Sequence, residues 1–459
     1  MARKKDKEFE MDMVRGPVLK KMLVFSLPLM LSSILQLLFN AVDLVVVGRF
    51  AGDNAMAAVG SNSALIALMT NLFVGLSVGA NVTVARFYGA KREQELSQTV
   101  HTTVALGMVS GVLLAVLGVC IAKPVLILMG MPEDVLPLAV LYLRIYFLGM
   151  TGMMVYNFGS AILRAVGDTK RPLYYLAFSG VINLILNLFF VIKLEWGVAG
   201  VGASTVIAQT LSAILILKCL TREEGALRLD FKKLRLHKNK VVAIFRIGVP
   251  SGVNGMVFSM TNMLIQASVN SFGAVTVAGS AASANIENII YFAMNSFYQA
   301  TISFTSQNVG AKRVSRIDRI LKRGLLCVVT VGFLLGFLAV TFGETLLGVF
   351  STNDAVIAAG MERLRIIGML YFLCGAMDVT TGALRGMGYS LVPMVISLVG
   401  VCGIRILWIT TIFQIPKYHT VPMLFMTYPV TWMITLSALL VMFFVMRKKL
   451  REKAVAREL

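Results

Sequence analysis

Residues 88–97 read YGAKREQELS and residues 309–318 read VGAKRVSRID, so the tetrapeptide GAKR occurs twice. Gly89 and Gly310 stand 221 residues apart (310 − 89), close to half of a 459-residue chain. Other residues repeat at the same offset. LRI occurs at 143–145 and 364–366, Leu163–Arg164 matches Leu384–Arg385, Gly167 matches Gly388, and Pro172 matches Pro393. Pro28 and Pro250 differ by 222 (250 − 28). So many coincident offsets mark a duplicated architecture.

The composition says what is duplicated. Hydrophobic residues make up 57% of the chain against 14% charged, and the mean hydropathy of +0.80 excludes an ordinary soluble domain. Apolar runs long enough to span a bilayer recur along the whole length. We place twelve helices near 22–47, 55–84, 98–121, 136–162, 172–193, 198–218, 242–267, 275–306, 324–345, 357–383, 391–413 and 421–446. The charged N-terminus, MARKKDKEFEMDMVRG, lacks the apolar core of a secretory signal.

Most of the 43 Lys and Arg fall at the N-terminus, in the C-terminal tail and in the connections after even-numbered helices. By the positive-inside rule both termini are then cytoplasmic, in a multi-pass protein of the cell membrane. The net charge of +20 is thus explained by topology and attraction to anionic membrane lipid, with no need of nucleic acid. Each half holds an even number of helices, so the two copies share one orientation. The expected fold is an all-α membrane protein of two pseudo-symmetric six-helix bundles. The expected lobes are 1–221 and 241–459, joined by a basic cytoplasmic linker at 222–240. In that linker Leu227, Phe231 and Leu234 follow helical spacing, which suits an interfacial helix or, alternatively, a solvated loop.

Charges inside the spans are few, and an Asp at mid-bilayer costs roughly 2.5–3.5 kcal/mol. In helix 1, Pro28 should bend the chain, and Gln36, Asn40 and Asp43 follow at spacings of four and three, on one face. Asn183 and Asn187 lie one turn apart in helix 5. A carboxylate facing amides forms a compact site for a proton or small cation, because burial penalises its charge and amide donors offset that penalty. Asn side chains alone would equally serve as interhelical glue. In the second half, Asn262, Glu287, Asn288 and Asp378 are candidates to meet a cationic ligand. Glu287 and Asp378 could instead pair with Arg405 or an Asn.

Several motifs carry no chemistry. GLSVG (75–79) matches a hydrolase elbow but lies within an apolar helix, where GxxxG reads as close helix packing. The five cysteines and three histidines are scattered, so no metal site or cofactor is expected, and no nucleotide loop is present. The chain does not read as an enzyme, and the energy must come from an ion gradient or from no gradient at all.

Twelve helices in parallel halves, Pro28 with Asp43, and the stretches LRAVGDTKRP (163–172), INLILN (182–187), SQNVGAKR (306–313) and GALRGMGYSLVPM (382–394) together resemble the multidrug and toxic compound extrusion (MATE) family, in particular its DinF-like bacterial branch. The resemblance covers nearly the whole chain. It implies an antiporter that exports cationic or amphipathic small molecules in exchange for H⁺ or Na⁺ by alternating access, and a complete 6+6 chain can work alone as a monomer. It also implies that Asp43 is the ion-linked carboxylate and that Asn183 and Asn187 are its helix-5 partners. The alternative within the same superfamily is a flippase for lipid-linked saccharides.

Overall fold

The computed structural model describes residues 9–455; the first eight and last four residues of the basic termini lie outside the described residues. The described residues are mostly helical, and twelve segments among them account for the expected spans. Among the described residues, nine are long, apolar and continuous. Helices 1–3 are Val18–Phe50, Asp53–Gly89 and Glu93–Leu128; helices 5–7 are Lys170–Lys193, Gly197–Arg222 and Lys238–Asn270. Helices 9, 11 and 12 are Ser315–Thr341, Leu391–Gln414 and Val421–Glu452. Helix 4 is a bent pair, Leu136–Leu148 with Met150–Ala165, at 44°, and helix 10 is another, Asp354–Leu370 with Phe372–Gly386, at 41°. Helix 8, Ala274–Gly310, is 37 residues long but richer in Ser, Asn and Thr than the others.

Both GAKR turns close in one geometry. Gly89 and Gly310 are the last residues of helices 2 and 8, and the left-handed residue is the lysine, φ 55° at Lys91 and 56° at Lys312. The amide of Arg92 then donates to Phe87 O at 3.1 Å and that of Arg313 to Asn308 O at 2.8 Å. This reversal satisfies carbonyls that the helix end would leave open.

The chain divides into two compact units whose boundaries cut through helices 1 and 7. The described residues up to Asp12 join Leu31–Gly252 in one unit, and Met13–Met30 joins Val253–Leu459 in the other. Each cut falls two or three residues after a repeat-related proline, Pro28 or Pro250. The lobes expected at 1–221 and 241–459 therefore exchange the leading halves of helices 1 and 7. Each proline removes one backbone hydrogen bond close to the division, while both helices run on through it.

In the first unit, the leading half of helix 7 packs on helix 2 through glycine. A Cβ on Gly75 would lie 2.2 Å from the Gly252 amide nitrogen, and one on Gly79 would lie 2.2 Å from Ile244 O. The GLSVG stretch is thus a backbone-to-backbone contact. At the same helix ends as the GAKR turn, Arg171 bridges the buried carboxylates of Asp168 and Glu223. The linker after helix 6 does not form the interfacial helix. It makes two short 3₁₀ turns, Gly225–Leu227 and Phe231–Lys233. Leu227 and Leu229 are buried against the helix 3–4–6 core while Phe231 is exposed. Gly225 at φ +64° and the Asp230 amide, which donates to His101 Nε2 at 3.1 Å, break the helical register.

In the second unit, the leading half of helix 1 is held by helix 8 and the turn after it. Phe25 meets Phe304 edge-on at 5.7 Å. Ser26 Oγ donates to Ser296 O at 3.4 Å, and Asn308 Nδ2 donates to Met13 O at 3.1 Å. Helices 9 and 10 close to backbone contact where a Cβ on Gly336 would sit 2.2 Å from Gly368 O.

Candidate functional site

Three helices of the first unit converge on Asp43. Helix 1 turns its carboxylate inward, 7% exposed, at the edge of a small aliphatic cluster that includes Val46 and Val47. Helix 5 presents two amides one turn apart, and both donate to the same oxygen: Asn187 Nδ2 lies 2.6 Å and Asn183 Nδ2 3.2 Å from Asp43 Oδ1. Helix 6 adds Thr205, whose Oγ1 lies 3.5 Å from Asp43 Oδ2. That hydroxyl also reaches Val201 O at 2.9 Å, and with a single proton it cannot serve both acceptors. The carboxylate is therefore firmly bonded at Oδ1 and nearly free at Oδ2. The carbonyl oxygens of Asn183 and Asn187 are buried without a hydrogen-bond partner among the described residues.

Gln36 and Asn40, expected beside Asp43, are exposed instead. The donors to Asp43 come from helices 5 and 6, because those side chains lie outside the buried sector of helix 1. Thr205 was missed by sequence reasoning. A threonine in a small-residue stretch (GVGAST, 200–205) carries no signal until the helix is docked.

The second unit assigns its acids differently. Glu287 is taken up by a bidentate ion pair: Arg363 Nε donates to Oε1 at 2.9 Å and Nη2 to Oε2 at 2.8 Å. Ser283 Oγ donates to Oε1 at 3.1 Å, and Arg363 Nη1 donates to Ser280 Oγ at 2.7 Å. Both members are buried, which satisfies Glu287 internally and removes it from reach of a cationic ligand. Its partner is Arg363 rather than Arg405 or an Asn. Asp378, in the second half of helix 10, is half-buried and has no hydrogen bond or ion pair among the described residues. Asn288 is exposed, and Asn262 is exposed while its Oδ1 accepts from Arg405 Nη1 at 3.3 Å. The structure therefore brings together Asp43, Asn183 and Asn187, but not Glu287, Asp378, Asn262 and Asn288. Among the described residues, no group of three or more His, Cys, Asp and Glu could hold a metal ion.

The MatE family model matches residues 28–189 and 250–410, more than half of the chain and in register with the two repeats. The chain is 30% identical over 398 residues to the probable multidrug resistance protein YoeA of Bacillus subtilis, covering 85% of this chain and 86% of that protein. It is 25% identical to the probable multidrug resistance protein NorM of Thermotoga maritima, covering 84% of each. In fold it is similar to a MATE crystal structure in the bent conformation, with a TM-score of 0.88 at 18% identity over 96% of this chain and 98% of the other. A duplicated set of membrane-length helices, a family model in both halves and relatives aligned over most of their length lead to one assignment: the chain belongs to the MatE family of membrane transporters, which are not enzymes.

Proposed function

We propose that this protein is a secondary active exporter of cationic and amphipathic compounds, driven by inward flow of H⁺ or Na⁺. The observation that carries the reading is the Asp43 carboxylate, bonded through Oδ1 by two amides and open at Oδ2. A proton or sodium ion captured at Oδ2 would neutralise the buried Asp43 carboxylate. Rotation of the Asn183 and Asn187 amides would turn their unpartnered oxygens toward sodium, a hard cation that prefers such ligands. The names of the relatives, multidrug resistance and export proteins, support the substrate class.

Coupling in this reading runs through helix 1. Its two halves belong to different units, divided just after Pro28, so Pro28 is the natural hinge for a change at Asp43 to alternate access to the site. By linkage, ion capture that weakens drug binding requires drug entry to favour ion release. In this reading both termini face the cytoplasm, which the Lys and Arg distribution supports, and each positive charge driven inward across 100 mV supplies about 2.3 kcal/mol.

The test is efflux of a fluorescent cationic dye from cells expressing wild type or Asp43→Asn at equal levels, with sodium and an uncoupler varied independently. Export by wild type and not by the mutant supports the assignment. Normal export by Asp43→Asn overturns it. Loss with the uncoupler in sodium-free medium identifies protons, and a sodium requirement identifies Na⁺.

A further inference from the structure

The helices that build the Asp43 site are 1, 5 and 6, and their repeat counterparts are 7, 11 and 12. Those three counterparts also enclose one charged residue, and its sign is opposite. Helix 11 supplies Arg405, 1% exposed and among the largest fully buried side chains. Helix 7 supplies Asn262, whose repeat position is that of Asn40 (262 − 40 = 222), and helix 12 supplies Tyr428 and Thr431.

Neutral groups hold Arg405 among the described residues. Its Nη1 donates to Asn262 Oδ1 and its Nε to Thr431 Oγ1, both at 3.3 Å, and the guanidinium stacks 4.1 Å from the Tyr428 ring centroid. Both acceptors are neutral and both bonds are long. No carboxylate lies within ion-pairing distance of Arg405 among the described residues. The same unit shows what a satisfied buried guanidinium looks like, since Arg363 has both oxygens of Glu287 at 2.8–2.9 Å. An arginine stays charged at any accessible pH, so Arg405 cannot relieve its burial by losing a proton. Holding an uncompensated cation inside a helical bundle is costly unless an anion completes it in some step.

The open side is identifiable. Thr431 and Tyr428 are buried, whereas Asn262 is exposed. The Asn262 amide is thus the cover between the guanidinium and the exterior of the unit, and it holds its place through a single 3.3 Å bond. A carboxylate arriving on that side would replace a long neutral contact with short, charge-assisted and bidentate ones.

We propose that Arg405 is a carboxylate-binding residue, with Asn262 as its displaceable cover, and that the second unit accepts the anionic end of zwitterionic amphipathic substrates. This rests on the exporter reading and deepens it by naming a substrate class. Glu287 and Arg363, which satisfy each other, take no part.

The test is equilibrium binding to the full-length purified protein in lipid nanodiscs, using a xanthylium dye with a free benzoate and its methyl ester. The two probes differ only in the anionic group. Wild type binds the benzoate dye more tightly than the ester. Arg405→Gln weakens the benzoate dye roughly tenfold or more and leaves the ester unchanged, with Arg405→Lys intermediate because a point charge cannot bind bidentately. Asn262→Ala tightens the benzoate dye, because the competing amide is gone, and this arm stands even if Arg405 variants fail to fold. Equal affinity of wild type for the two dyes, equal loss of both in Arg405→Gln, or weaker benzoate binding in Asn262→Ala overturns the proposal. Binding is read without transport, so failure here leaves the efflux test of Asp43 untouched, and failure of that test leaves this one intact.

Discussion

Replacing Arg363 by Met tests whether Glu287 is a structural group or a ligand-binding one. In the native protein the two form a bidentate pair, supplemented by Ser283 on Glu287 and Ser280 on Arg363, with both members buried. Removing the cation strands a carboxylate that water cannot reach, a loss of about 3–5 kcal/mol for a buried pair broken on one side. Glu287→Gln removes the charge but keeps an acceptor for Arg363, so it should cost less, about 1–3 kcal/mol. Removing both charges is the decisive arm. Glu287→Leu with Arg363→Met replaces the pair by apolar groups of similar size, and such swaps are neutral or stabilising by about 1–4 kcal/mol. Stability would be read from SDS-induced unfolding of the purified protein, and function from dye efflux at matched expression. The expected order of stability is Arg363→Met lowest, Glu287→Gln next, and the double variant at or above wild type with efflux retained. If the double variant is stable but does not transport, or if Glu287→Gln abolishes efflux at wild-type stability, the pair is not merely structural and Glu287 must meet the ligand or ion.

Other consequences follow from single contacts. Gly79→Val puts a side chain where even a Cβ would meet Ile244 O at 2.2 Å, so helices 2 and 7 must separate; overpacking of about 1–3 kcal/mol or more should appear as lost folded yield by size-exclusion chromatography. Lys91→Gly and Lys312→Gly relieve left-handed strain at φ 55° and 56° and should each raise stability by about 0.5–1 kcal/mol, because the relief of 1–2 exceeds the entropy cost of glycine. No gain in either would mean that the lysine side chains make compensating contacts. Arg171→Met leaves Asp168 and Glu223 buried without their shared cation and should cost about 3–5 kcal/mol in the same unfolding assay; a change below 1 kcal/mol would refute the bridge. Thr205→Val removes the hydroxyl 3.5 Å from Asp43 Oδ2 and should alter the ion dependence of efflux rather than its maximal rate, which a titration against sodium and pH would read.

The parts of this molecule legible from sequence are those fixed by local chemistry or repetition. The Asp43 cluster was readable in part, since Asn183 and Asn187 had to share a face one turn apart and do bond the same oxygen. Gln36 and Asn40 met the same spacing rule and still lie outside the site. Spacing says which residues share a face of helix 1, but not which sector of that face is buried. Glu287 failed for a related reason: its partner Arg363 is 76 residues away, and only the docking of helix 10 on helix 8 brings them together. The linker shows the limit of periodicity over short stretches. Leu227, Phe231 and Leu234 keep a helical rhythm, yet a left-handed Gly225 and a ring nitrogen on His101 outweigh it.

The duplication reaches further than the matching residues that revealed it. Within the first unit the leading half of helix 7 meets helix 2 at Gly248 and Gly75, where a Cβ on Gly248 would lie 3.1 Å from Gly75 O. Within the second unit the leading half of helix 1 meets helix 8 at Ser26 and Ser296. These are the same positions in repeat register (248 − 26 = 222 and 296 − 75 = 221), although none of the four residues matches its counterpart. What was kept is smallness, since small residues such as Gly and Ser let two helices approach closely in an apolar medium. What was not kept is charge: helix 1 carries Asp43 at its site, while helix 11 supplies Arg405 to the counterpart. Packing positions must stay alike for both halves to fold, whereas a buried charge is constrained only by its own partners. Divergence after duplication therefore falls on Asp43 and Arg405, and a functional difference between the two units is to be sought at those residues.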